Sequence, residues 1–138
     1  MSHHHWATLA KLLALGDSYQ RERAWNKAFD VCEQMLDVCT TANDNVGRAH
    51  ATAFIAKMME VAGSTKEAKE YGRQAVVALE DLSPIEWTDA CKNGHPLVTL
   101  DATEVSMKPE PALRYRIMTS RAWVRGVGFR AVLNRIRR

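Results

Sequence analysis

Cys91 and His95 stand four residues apart in Cys91-Lys-Asn-Gly-His95, a spacing at which two side chains can reach one metal ion. A structural zinc site takes four ligands, and the other thiols, Cys32 and Cys39, fall on a different predicted helix. The pair therefore reads as a loop cysteine and a polar loop histidine, and the sequence predicts neither a metal site nor a cofactor. His3-His4-His5 imply at most weak adventitious metal affinity, and residues 1 to 5 read as an N-terminal tail outside the fold. There is no glycine-rich phosphate loop and no pair of catalytic carboxylates; Glu60, Glu67, Glu70 and Asp81 read as solvated helix faces. The remaining chemical signal lies at the C-terminal end. Eight arginines follow residue 112, and no acidic residue follows Glu110. Arginine forks suit phosphate pairs, and Trp123 or Phe129 offers an aromatic face for stacking on bases.

The elements that must carry these groups are helices. Apolar residues recur at helical spacing over roughly 6 to 20 (Trp6, Leu9, Leu12, Leu13, Tyr19) and 24 to 39 (Trp25, Ala28, Phe29, Cys32, Met35, Leu36, Cys39). Thr40 to Asp44 is a polar break in which Asn43 is a candidate N-cap. A third helix runs to about Ala62, with Ala51, Ile55, Met59 and Ala62 on one side, and Gly63 ends it. Ser64 and Glu67 have capping-box spacing and open a fourth helix that buries Ala68, Tyr71, Ala75, Ala78, Leu79 and Leu82. Ser83-Pro84-Ile85-Glu86 is a second such start, for a short helix ending near Lys92. Residues 94 to 110 read as an irregular arm, with a β-leaning stretch from Leu97 to Val105. Pro111 opens a last, arginine-rich helical segment, interrupted at Gly126-Val127-Gly128.

Leu12, Leu15, Gly16, Tyr19, Trp25 and Ala28 stand at the offsets of one tetratricopeptide repeat, and this stretch resembles that family. A second unit follows at an offset of 40 residues, Ala28 lying on Ala68 and Met35 on Ala75, but it departs from the pattern. Ile55 and Ala56 replace Leu-Gly, Met59 replaces Tyr, and Gly72 replaces an aromatic. The resemblance implies an all-α chain of two antiparallel helix hairpins over residues 6 to 82. The short helix and arm then span 83 to 110, and an Arg-rich cap or tail spans 111 to 138. It also implies a non-catalytic adaptor that holds a partner helix or peptide on the inner helices. The candidate groove residues are Leu13, Asp17, Gln20 and Lys57. Leu13 and Asp17 occupy the positions where some such repeats clamp a partner's terminal carboxylate, so an amphipathic helix suits this surface better.

Leu13-Ala14-Leu15-Gly16-Asp17-Ser18-Tyr19 also resembles the opening block of the Gly-Asp-Ser-Leu esterases and lipases. That resemblance implies a nucleophilic Ser18 at a strand's end, activated by a histidine from an Asp-x-x-His block. The chain has no Asp-x-x-His, and its last histidine is His95. A hydrolase is therefore the remote alternative, and no residue is assigned a catalytic role.

Charge divides the chain in two. Residues 1 to 112 hold 11 basic and 16 acidic residues, a net of −5, whereas the segment after them carries +8. The second functional expectation follows from this asymmetry: nucleic acid, RNA or DNA, or another acidic ligand bound through Arg121, Trp123, Arg125 and Arg130. The same segment also suits a structural cap, because two solenoid units leave apolar end faces. Homo-oligomer formation is a further alternative. A length of 138 residues with 46% apolar and 25% charged residues is that of one globular domain. No apolar run approaches the ~20 residues of a membrane span. The start has no signal core, and three reduced thiols suit the cytoplasm.

Overall fold

A computed structural model describes residues 3 to 98 apart from position 62, excepting the side chains of Gln20, Trp25 and Val61. Five helices follow one another: α1 Trp6–Arg21, α2 Trp25–Thr41, α3 Asn45–Val61, α4 Thr65–Glu80 and α5 Pro84–Asn93. No strand occurs among the described residues, so this span is all-α. None of its helices is long and apolar enough to cross a membrane.

The first three helices end in the same way. Arg23, Asn43 and Gly63 adopt left-handed backbone, with φ of 60°, 58° and 84°. The N–H of the following residue then reaches back five residues: Ala24 to Tyr19 at 2.8 Å, Asp44 to Cys39 at 2.8 Å, and Ser64 to Met59 at 2.9 Å. Such closures satisfy carbonyls that a helix end leaves open and turn the chain sharply into the next helix. The three left-handed positions fall 20 residues apart, which sets the spacing of the hairpins.

Two caps differ from expectation. Asn43 ends α2 rather than starting α3, because asparagine tolerates the left-handed conformation that the turn requires. Asp44 takes the capping role, its Oδ1 accepting the Gly47 N–H at 2.9 Å. Ser64 stands at the N-cap of α4 without a side-chain cap bond, so the expected box with Glu67 does not form. At α5 the box is complete: Ser83 Oγ accepts the Glu86 N–H at 3.1 Å, and Glu86 Oε2 accepts the Ser83 N–H at 2.8 Å.

Each helix from α1 to α4 packs on its neighbour in the chain, and α3 also meets α5. The core has two parts on opposite sides of α3. Leu9, Phe29, Cys32, Met35, Ile55 and Met58 lie in the first, between α1, α2 and α3. Ala49, Ala53, Ala75, Leu79, Leu82 and Trp87 lie in the second, between α3, α4 and α5. The single buried side expected for α3 is therefore replaced by burial of nearly every residue from Val46 to Ala56. Alanines at 49, 51, 53 and 56 are the physical reason, since small side chains let helices approach from both directions. Leu97, at the start of the expected arm, is buried in the first core. The arm beyond Val98 and the segment 111 to 138 lie outside the described residues.

Candidate functional site

Of the predicted groove residues, Leu13, Asp17 and Gln20 lie on α1 and Lys57 on α3. Leu13 is half-buried and packs against the first core. Asp17 is half-buried on α1. Lys57 lies 3.8 Å from Glu60 one turn along α3. Gln20 belongs to α1, and its side chain is among those not described. Arg121, Trp123, Arg125 and Arg130 lie outside the described residues. Ser18 sits in the last turn of α1, its hydroxyl 3.5 Å from Glu22 Oε1, and not at the tip of a strand as the esterase resemblance implies.

An open groove runs instead between α2 and α4. Leu36, Asp37 and Thr40 form one wall, Gln74, Val77 and Ala78 the other, and Thr52 and Arg48 of α3 lie between them. It encloses about 490 Å³. Val77 is exposed and Thr52 is buried, so the groove offers an apolar edge above a polar floor. Asp37 and Asp81 add two carboxylates to its lining, and Arg48 and Arg73 two guanidinium groups.

The second feature gathers residues from three distant segments. His5 precedes α1, Asp44 caps α3, and His95 follows α5. Asp44 Oδ2 accepts a hydrogen bond from His5 Nε2 at 2.7 Å and from His95 Nε2 at 2.6 Å. The other oxygen, Oδ1, is held by Gly47, so Oδ2 is aimed at the two imidazoles. Gly94 makes this placement possible: its φ of 77° ends α5 and lets the His95 N–H bond the Ala90 carbonyl at 2.9 Å. The side chains of Asp44 and His95 are only 9% and 1% exposed. His95 Nδ1 accepts the Leu97 N–H at 3.1 Å, which fixes the neutral ring with its proton on Nε2.

Burial alone would raise the Asp44 pKa. That effect is outweighed by the hydrogen bonds from His95, the Gly47 N–H and His5, which together hold the carboxyl well below the usual carboxylate range.

A cavity of about 210 Å³ opens beside this cluster. His3 and Asp89 stand at its edge, His3 Nε2 donating to Asp89 Oδ2 at 2.7 Å. Trp6 stacks on His3 with ring centroids 3.8 Å apart and tilts against His95 at 5.0 Å. Glu86, besides capping α5, accepts a bond from Asn45 Nδ2 at 2.8 Å and so ties α5 to the start of α3.

No family model, curated protein or solved structure matches this chain.

The N-terminal histidines are thus not a tail outside the fold. His3 and His5 are half-buried and hold the segment before α1 against the α2–α3 turn and α5. His95 is likewise a buried residue rather than a polar loop side chain. Cys91 does not join it; the thiol lies on α5 and packs against the second core. Sequence spacing missed the cluster because its members are 39 and 51 positions apart. The one local signal was Asp44-Asn45-Val46-Gly47, in which an aspartate stands three residues before an N–H that its carboxylate can cap.

Proposed function

We propose that this chain is a non-catalytic adaptor that holds a partner helix or peptide in the groove between α2 and α4. The groove itself carries the reading: two helices stand apart over a buried polar floor, with exposed Val77 at the rim. Apolar anchors at a partner's i and i+4 positions would seat along such a trough. The even spacing of the three left-handed turns supports the tetratricopeptide-like reading of residues 6 to 82 as two helix hairpins. A photo-crosslinking residue at position 77 tests the proposal, with the same residue at exposed Ala10 on α1 as control. Position 77 should give a discrete protein adduct, lost when Thr52 is replaced by Arg. Equal labelling at both positions, or none at 77, would sink the adaptor reading.

Nucleic-acid binding through Arg121, Trp123, Arg125 and Arg130 is the second reading, favoured by eight arginines without an acid among them. A steep fall of affinity with salt, abolished by deleting residues 113 to 138, would mark it.

A further inference from the structure

We propose that His5, Asp44 and His95 form a binding site for a late first-row divalent metal ion such as zinc, with an open coordination position facing the cavity beside Trp6. His5 Nε2, Asp44 Oδ2 and His95 Nε2 lie within 4.8 Å of one another. Two imidazoles and one carboxylate are a donor set suited to zinc, nickel, copper or iron(II), not to calcium or magnesium. Zinc bonds to such donors at about 2.0–2.2 Å in tetrahedral geometry, which sets donor atoms roughly 3.3 Å apart. The observed 2.6 and 2.7 Å separations must open by roughly 0.6–0.7 Å to reach that spacing. The adjoining cavity gives room for that movement and for water or a small anion in the fourth position.

The surroundings hold the donors in place. The Gly47 N–H fixes Asp44 Oδ1, leaving Oδ2 for the ion. Trp6 packs its ring against His95 and so restricts the imidazole plane. One bond opposes the metal. Leu97 donates to His95 Nδ1 and so holds the proton on Nε2, the atom the ion would need. Binding therefore moves the His95 proton from Nε2 to Nδ1 and releases the Leu97 N–H. Loss of one neutral hydrogen bond is a small cost beside the free energy of a three-ligand zinc site. This coupling gives the site a signature that binding by three consecutive histidines would not have.

Zinc titration of the full chain, followed through the ring nitrogens by proton–nitrogen correlation spectra, reads that signature directly. His95 should pass from the Nε2–H to the Nδ1–H tautomer at one equivalent of zinc, and the Leu97 amide should shift with it. His4→Gln should leave zinc affinity unchanged, because His4 is exposed and outside the cluster. His95→Gln should weaken it by about 100-fold or more, and Asp44→Asn, which keeps a capping oxygen, should do the same. Circular dichroism establishes that each variant is folded. If either is not, the tautomer shift in the unaltered chain decides alone. Unchanged His95 signals at saturating zinc would overturn the proposal and leave the trio as a hydrogen-bonded staple. So would affinity that depends on His4 and not on His95.

Discussion

Gly47 and Asp44 are locked to one another at the start of α3. The Gly47 N–H donates to Asp44 Oδ1 at 2.9 Å, and a Cβ on Gly47 would stand 2.7 Å from Asp44 Oδ2. The same Cβ would run into Cys39 Sγ. The absence of a side chain at position 47 is therefore what lets the carboxylate lie between the helix start and the two imidazoles.

Gly47→Ala should accordingly destabilise the fold, although alanine is the better helix former by about 1 kcal/mol. Crowding against Cys39 and Asp44 outweighs that gain, and the expected net loss is about 1–3 kcal/mol. Urea unfolding measures it. A variant as stable as the parent would mean that the close approach at Gly47 costs nothing.

Asp44→Asn should cost about 2–4 kcal/mol at neutral pH. It replaces a carboxylate that accepts from two rings with an amide whose N–H₂ opposes their Nε2–H groups. The gap between parent and variant should depend on pH. The folded Asp44 pKa is depressed, so the unfolded chain binds the proton more tightly. The Asp44 contribution is then complete above the unfolded value of about 3.9 and shrinks as pH falls below it toward the folded value. Unfolding curves of both proteins between pH 7 and pH 2.5 should therefore converge in acid. Parallel curves would show that the charge of Asp44 is not what stabilises the cluster.

Helix positions were legible in the sequence because local signals determine them. Ser83-Pro84-Ile85-Glu86 contains the whole of its capping box, and Gly63 is a residue that ends helices without strain. The two-sided burial of α3 was not legible, since alanine fits a buried and an exposed face alike and leaves no period to read. His5 with Asp44 and His95 was illegible for another reason. Their meeting depends on where the ends of α1, α2 and α5 fall after packing, and no spacing along the chain encodes that.

The three thiols should differ in reactivity. Burial pushes the Cys32 thiol up strongly, and the charge of Glu33 adds to this. Burial, with a further push from Asp44 against a smaller pull from Arg48, raises Cys39 to about 12. Cys91 is half-buried on α5. Since thiolate is the reactive form, native alkylation at pH 7.5 should label the less buried Cys91 first, with Cys39 slower than an ordinary thiol by roughly three orders of magnitude on thiolate fraction alone. Mass spectrometry of peptides after timed iodoacetamide treatment reads the order. Rapid labelling of Cys32 or Cys39 would show that the first core opens readily.

The left-handed turns carry a last consequence for stability. Arg23, Asn43 and Gly63 occupy equivalent places, but only glycine does so without a Cβ penalty. Asparagine bears the conformation better than arginine, because its short polar side chain can bond locally. Arg23→Gly should therefore stabilise the chain by about 1 kcal/mol, after the greater freedom that glycine gives the unfolded state is subtracted. Asn43→Gly should gain less, and Gly63→Ala should lose about 1 kcal/mol or more. Nothing lies within 4 Å of a Cβ built on Gly63, so any loss there is backbone strain and not crowding. Thermal unfolding of the three variants measures the series. A stabilisation at position 43 equal to that at position 23 would show that asparagine has no advantage in this turn, and a neutral Gly63→Ala would show that the α3–α4 turn can change conformation without cost.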